Sequence, residues 1–413
     1  MLPAGVGVNI HFSRGHERDL DMIAAAGFKF IRMDFFWESI ESQKDKYDWS
    51  AYDELTANLE RRGLRAYYIL AYSNPLYEEM VVSKNPISGE QQKVQASPQH
   101  PESVAAFARW AAAAAKHFQG RHIVWEIWNE PNINFWQPKP DVQQYTTLAL
   151  ATLKAVRDAD SQATIVGPAS SELPWPFLES FFQSGALEFL DAVSVHPYRG
   201  INRPPETATP DFQKLRALID ANAPPARKGA IPILSGEWGY SSNTKGVSTA
   251  TQAAFIARQQ LSNLFNGVPI SIWYDWKNDG NDPKENEHNF GTVMPDLVPK
   301  PAYTAIKTLT HELSGFGIAS RHHVASTNDF VLILTNAVGD TKLAAWTLGE
   351  PHPVSLALQS TTATSLSVVT SEGLESRLEI QTGATELPLA SAPKYVTLGK
   401  THLNSSRQTP DPP

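Results

Sequence analysis

Along residues 5–312 short apolar runs alternate with longer amphipathic ones. The apolar runs, 5–11, 28–34, 64–71, 122–129, 163–168, 190–196, 231–237 and 269–276, have strand length and are rich in Val, Ile, Phe and Trp. Helix signals fall near 16–26, 50–62, 101–119, 140–159, 175–184, 210–222, 249–266 and 301–312. The clearest opens at Pro101, which suits a first helical turn because its missing N–H has no partner to lose there. SVAAFARWAAAAAKHF follows with high intrinsic helix propensity, and Gly120 beside basic Arg121 closes the segment. Strands alternating with helices imply right-handed crossovers and a parallel sheet. Eight such units close into a (β/α)8 barrel more readily than they form an open sheet. A doubly wound nucleotide-binding sheet would place a glycine-rich turn after its first strand, and HFSRGHERD holds none.

After about residue 315 the rhythm changes. DFVLILTN, TKLAAWTL, PVSLAL, SLSVVT, SRLEIQ and APKYVTL are short strand-like runs separated by turn residues, with no helical stretch. The fold expected is α/β: a TIM barrel over 1–315, then a small antiparallel, sandwich-like β domain over 316–400. The polar, proline-rich SSRQTPDPP makes 401–413 a flexible tail. Because its strands carry few aromatics beyond Phe330, Trp346 and Tyr395, the β domain is expected to pack on the barrel rather than bind glycan. Two connections, 73–100 and 277–300, are long and fall on the C-terminal rim, where barrels carry their function.

Composition narrows the chemistry. Hydrophobic residues make up 42% of the 413 and charged residues 19%, as in folded globular proteins. A net charge of −8 argues against nucleic acid or an anionic membrane surface as the main partner. The absence of cysteine excludes disulfides, thiolate catalysis and cysteine-ligated metals. No apolar run approaches the ~18–20 residues that span a bilayer. The first strand, GVGVNIHF, begins close to Met1 with no signal peptide ahead of it. That suggests an exported protein, periplasmic or extracellular, whose leader has been removed; a cytoplasmic start is the alternative. The 12 histidines show no His-x-His or HExxH spacing, so neither metal nor any other cofactor is expected. The Asn/Asp-rich stretch 278–289 reads as a solvated turn.

Two glutamates stand at the ends of strand-like runs. Glu130 closes the fourth in HIVWEIWNEPN, and Glu237 closes the seventh in IPILSGEWGY. A pair of carboxylates on one barrel rim is the minimum needed to cleave a glycosidic bond, one held protonated as acid and the other ionised as nucleophile. Arg32, ending FKFIR on the second strand, is placed to hold Glu237 ionised. Alternation puts Glu126 on the inward side with Trp128 and Glu130, where a buried carboxylate needs Arg32 or a histidine as partner. Seven of the 11 tryptophans, Trp37, Trp128, Trp136, Trp175, Trp238, Trp273 and Trp276, fall at strand ends or in rim loops. Aromatic faces there suit the C–H faces of sugar rings, with two or three of the seven left to fill the barrel top.

WEIWNEP and GEWG resemble the acid/base and nucleophile motifs of clan A of the glycoside hydrolases. Arg32, His196 with Tyr198 in SVHPY, and Trp273 in SIWYDW fall on strands two, six and eight as that resemblance requires. NFGTVMPDLVPKPAY is similar to the clan's closing loop. GVNIHF and the appended β domain look most like family 39, which includes β-xylosidases, α-L-iduronidases and endo-acting glycosidases of biofilm exopolysaccharide. The resemblance implies retaining double displacement: Glu237 attacks the anomeric carbon and Glu130 acts as acid, then base. It further implies that Asn129 bonds the sugar 2-OH, Tyr198 bonds the nucleophile and His196 orients the sugar or a carboxylate. Trp37, Trp238, Trp273, Trp276 and His11 complete the expected substrate contacts. The expected activity is endo cleavage of a polysaccharide, with an exopolysaccharide as the leading candidate. Alternatives are an exo-acting β-xylosidase-like enzyme and a non-catalytic carbohydrate-binding barrel. The expected partner is a polysaccharide or oligosaccharide substrate, and the chain is expected to act as a monomer.

Overall fold

Eight parallel strands close on themselves in the computed structural model of the chain, which describes residues 1–84, 89–359, 363–381 and 384–403. Residues 404–413 of the expected tail lie outside the described residues. In chain order the strands of this half are β1 (Val6–Asn9), β2 (Phe30–Phe36), β3 (Arg65–Ala71), the hairpin pair β4 (Met80–Lys84) and β5 (Gln91–Gln95), then β6 (Val124–Ile127), β7 (Thr164–Ser171), β8 (Ala192–His196), β9 (Ile233–Trp238) and β10 (Ser271–Trp273). All but the hairpin are staves, and β10 closes the ring on β1 through Val6 and Ser271. The hairpin occupies part of the long 73–100 connection.

Helices α1 (Glu17–Ala25), α2 (Trp37–Ile40), α3 (Ser50–Glu60), α4 (Pro101–His117), α5 (Val142–Ala159), α6 (Trp175–Gln183), α7 (Thr209–Asn222), α8 (Thr249–Phe265) and α9 (Pro301–Glu312) accompany the staves. Their starts follow local chemistry: Asp141 accepts from the Gln143 and Gln144 amides, and Ser248 from the Thr251 amide. On α4 the positions Val104, Phe107, Trp110, Ala111 and Ala114 recur at helical spacing and are buried. Among the described residues no helix is long and apolar enough to cross a membrane.

The barrel interior is layered. Phe30, Tyr67, Val124, Val166, Ala192, Leu234 and Ile272 form an apolar plug toward the N-terminal end. Gly7 belongs at that level because a Cβ there would meet Ile272 Cδ1 at 2.2 Å. Two residues further along each strand, on the same face, come Asn9, Arg32, Glu126 and Ser194. Period-2 alternation therefore lifts a charged layer onto an apolar floor.

The second half folds into β11 (Gly317–Arg321), β12 (Asp329–Thr335), β13 (Thr341–Thr347), β14 (His352–Leu356), β15 (Ser365–Thr370), β16 (Glu375–Glu379), β17 (Thr385–Leu389) and β18 (Lys394–Gly399). Six of these pair antiparallel in the order β11-β12-β13-β18-β15-β16, and β14 pairs with β17. Val331, Leu343, Val368 and Val396 of the larger sheet pack with Val354, Leu356, Leu387 and Leu389 of the smaller. The other face of the larger sheet sends Leu332, Leu334, Ala344, Trp346 and Tyr395 into the core of the barrel half. The expected packing role is thus what the geometry provides.

Candidate active site

Arg32 organises the charged layer and is 1% exposed. Its Nε donates to Glu126 Oε2 at 2.8 Å. One terminal nitrogen donates to Asn9 Oδ1 at 3.1 Å and to Glu237 Oε2 at 2.5 Å. The other donates to Asn129 Oδ1 at 2.8 Å and faces His196 Nε2 at 3.2 Å. All five guanidinium N–H groups are thereby engaged. The Arg32 nitrogen that faces His196 also lies 2.7 Å from Glu126 Oε2, and His196 Nδ1 lies 3.1 Å from Glu130 Oε1, so the imidazole sits between the guanidinium and the Glu130 carboxyl.

Glu126 is fully buried and fully satisfied. Besides Arg32 it accepts from the Tyr67 hydroxyl at 2.8 Å and the Ser194 hydroxyl at 2.5 Å. Gly236 is what leaves room for this cluster: a Cβ there would sit 2.3 Å from Ser194 Oγ and 2.9 Å from Glu126 Oε1. Removing one partner of a buried ion pair typically costs ~3–5 kcal/mol. Glu126→Gln is therefore expected to lose stability on that scale in urea unfolding while kcat/KM changes by less than about tenfold. A stable variant without activity would assign Glu126 a direct catalytic role instead.

Glu130 and Glu237 converge above the layer. One carboxylate oxygen of each, with a nitrogen of His196, lie within 4.8 Å of one another. Burial alone would raise the Glu237 carboxyl, but the charge of Arg32, then that of His196, and hydrogen bonds from Tyr198 and Arg32 outweigh it and hold it below the ordinary carboxylate value. The Tyr198 hydroxyl donates to Glu237 Oε1 at 2.8 Å. Its own ionisation is pushed well up, by burial first and then by the Glu237 charge, so it remains a donor.

Local backbone geometry places both glutamates. Trp128 and Glu130 have φ of 66° and 47°, left-handed values uncommon for such residues. The turn at Trp128 breaks strand alternation, so Trp128 points outward into the helical shell with Ile127 while Asn129 and Glu130 face the cavity. On β9 two residues, Gly236 and Glu237, oppose the single Ile272 on β10, a bulge at Glu237. Bulges re-aim side chains next to active sites, and here Glu237 faces inward and Trp238 outward.

A cavity of about 500 Å3 opens over this pair. Of the residues expected to touch substrate, Arg32, Asn129, Tyr198 and His11 line it together with Glu130 and Glu237. His196 does not: it is fully buried beneath the cavity, between Arg32 and Glu130, and positions them rather than meeting a sugar. The tryptophan expectation is overturned. Among the described residues no tryptophan lines the cavity. Trp37 is buried against Tyr77 and Trp110 and donates to Glu41 Oε2, and Trp276 donates to Asp19 Oδ1. Trp238 and Trp273 point from their strands into the outer core. The aromatics that do line the cavity are Tyr72, Phe135, Tyr198, Tyr274 and Phe290. Tyr274 was within reach of sequence reasoning: Ile272 belongs to the inner plug, so alternation turns Trp273 out and Tyr274 in. Asp34, also lining the cavity, lies two residues beyond Arg32 and shares its inward face.

The family model Cellulase (glycosyl hydrolase family 5) matches residues 5–280, from the first stave through the last. The chain belongs to this family of clan A glycoside hydrolases. A β-xylosidase of Geobacillus stearothermophilus is 29% identical over 236 residues, covering 49% of this chain and 45% of that one. The chain thus matches less than half the length of that relative. A family 39 glycoside hydrolase from Bacteroides cellulosilyticus WH2 superposes with a TM-score of 0.80 at 25% identity, over 96% of this chain and 81% of that one. A monomeric β-xylosidase from Caulobacter crescentus CB15 shares the fold with a TM-score of 0.66 at 17% identity, over 95% of both chains. Within the clan the chain is most like family 39, and that likeness runs through the β domain as well as the barrel.

Proposed function

We propose that this protein is a retaining O-glycosidase acting within a polysaccharide chain. The observation that carries the retaining mechanism is the separation of Glu130 and Glu237, whose oxygens come within 4.8 Å. Retaining enzymes hold their carboxyl groups ~5–5.5 Å apart, whereas inverting ones leave ~6.5–9.5 Å for a water between them. Glu237, held ionised by Arg32 and Tyr198, attacks the anomeric carbon. Glu130 gives its proton to the departing glycosidic oxygen, and His196 Nδ1 positions the Glu130 carboxyl. Glu130 then takes a proton from water, whose oxygen attacks the glycosyl–Glu237 ester and frees both carboxylates' starting forms. Asn129 commits its oxygen to Arg32 and bonds Tyr72 through its amide nitrogen, whose other N–H is left for the sugar 2-OH.

Endo action is supported by an aromatic strip leading out of the cavity. Tyr72 stacks parallel to Phe135 with centroids 5.9 Å apart, and Phe36 lies 6.4 Å from Tyr72. Phe36 and Phe135 are 39% and 42% exposed, a platform for sugars beyond the cleaved bond. An extracellular polysaccharide and an exported, monomeric enzyme complete this reading. A second reading, an exo-acting β-xylosidase, is favoured by the activity of the Geobacillus relative.

Product analysis on a polysaccharide panel separates them. Oligosaccharides whose first-formed anomer, followed by NMR, matches that of the substrate bond are expected. Monosaccharide alone would select the exo reading. An inverted anomer would refute the double displacement.

A further inference from the structure

Resting on the glycosidase reading, we infer that the cleft selects by charge, taking glycans with unsubstituted amino groups and rejecting uronates, with Asp34 as the residue that receives the ammonium. The cavity's charged walls are unbalanced. Apart from the catalytic pair its acidic lining is Asp34 from β2, Glu172 after β7 and Glu287 after β10; against these stands His11, which is paired with Asp275, and among the described residues no lysine lines it. The guanidinium of Arg32 is held between Glu126 and Glu237. With all five of its N–H groups engaged, Arg32 has none for Asp34, although the two side chains share one strand face.

Asp34 is left without donors. Among the described residues its Oδ1 is buried with no hydrogen-bond partner, while its backbone is held by the β2–β3 pairing and by the Tyr52 hydroxyl, which donates to its carbonyl. A carboxylate facing a cavity in this state lacks the partners that such a group ordinarily has. A sugar hydroxyl can donate one hydrogen bond. An ammonium supplies three and also offsets the surplus negative charge of the walls. The exposed Glu172 and Glu287 extend the same sign of potential to the mouth, which concentrates cations and repels a uronate.

Binding is measured by calorimetry on Glu237→Gln, which prevents turnover, with a β-1,4-linked glucosamine hexamer, its N-acetylated counterpart and an oligogalacturonate. A charge-assisted hydrogen bond corresponds to a preference of about tenfold or more for the amino form. Adding Asp34→Asn is expected to bring the two hexamers to within about twofold. Glu172→Gln, on an exposed side chain that cannot threaten folding, is expected to narrow the preference partially. Equal binding of the hexamers, no binding of either, tighter binding of the uronate, or a preference that survives Asp34→Asn overturns the inference. A glycosidase that fails to turn over any substrate would still show or lack this preference, so the two readings fail separately.

Discussion

Glu237→Gly is expected to reduce turnover by ~10^4-fold or more, the scale on which losing a member of a covalent catalytic set acts. Added azide is expected to restore product formation with the opposite anomeric configuration. Glycine removes the attacking oxygen and opens space beside Arg32 for a small anion. Azide entering there attacks the same face of the sugar that Glu237 would have attacked, and with no ester to resolve, the inverted glycosyl azide is the end product. The surroundings favour an anion in that place, since Arg32 and the Tyr198 hydroxyl both point at the missing carboxylate. Glu130 is untouched by the change and still protonates the departing oxygen. Kinetics with an activated aryl glycoside, with and without azide, plus NMR of the product, check this. Residual activity near wild type, or rescue with retained configuration, would remove Glu237 from the nucleophile's role.

The barrel was legible because its signals are local and repeated. Eight apolar runs spaced by capped, amphipathic helices admit few topologies, and the change of rhythm after residue 315 marks where α9 gives way to β11. The inward side of a regular strand was legible too: alternation put Glu126 on the inner face and gave it Arg32 or a histidine as partner, and Arg32 Nε donates to it at 2.8 Å. Reading failed where the backbone departs from that alternation. The left-handed φ at Trp128 and the bulge before Trp238 each turn a tryptophan outward, and neither leaves a mark in composition. A tryptophan near a strand end satisfies the shell between barrel and helices as readily as it satisfies a sugar. Trp37 and Trp276 took that course, with indole N–H groups bonded to Glu41 and Asp19. Asp34 went unread for a different reason: its importance lies in Arg32 having no donor left for it, which only the assembled network reveals.

Removing the chain after residue 315 is expected to abolish cooperative folding rather than trim an accessory. The larger sheet of the β domain is not an independent neighbour. Leu332, Leu334, Trp346 and Tyr395 lie in one continuous core with the barrel's helices, so truncation would expose the surfaces they cover. Each large apolar side chain fully buried contributes ~1.5–3 kcal/mol, against a total stability of ~5–15 kcal/mol for a typical fold. The polar links are equally buried. Glu206 takes two hydrogen bonds from Arg258 on α8 and one at 2.8 Å from the Trp346 indole on β13, and Arg258 also donates to the Ser391 carbonyl. Lys342 donates to the Glu312 carbonyl at 2.6 Å and so satisfies the C-terminal end of α9. Even the entry to β1 is tied down, with the Leu2 amide donating to Phe316 O at 2.8 Å. The truncated chain is therefore expected to lose its near-UV circular dichroism and its sharp thermal transition. Trp346→Ala in the full chain, which leaves a cavity and takes a donor from Glu206, is expected to cost ~3–5 kcal/mol. A soluble truncate with wild-type turnover would show instead that the barrel stands alone and that the shared core contributes little.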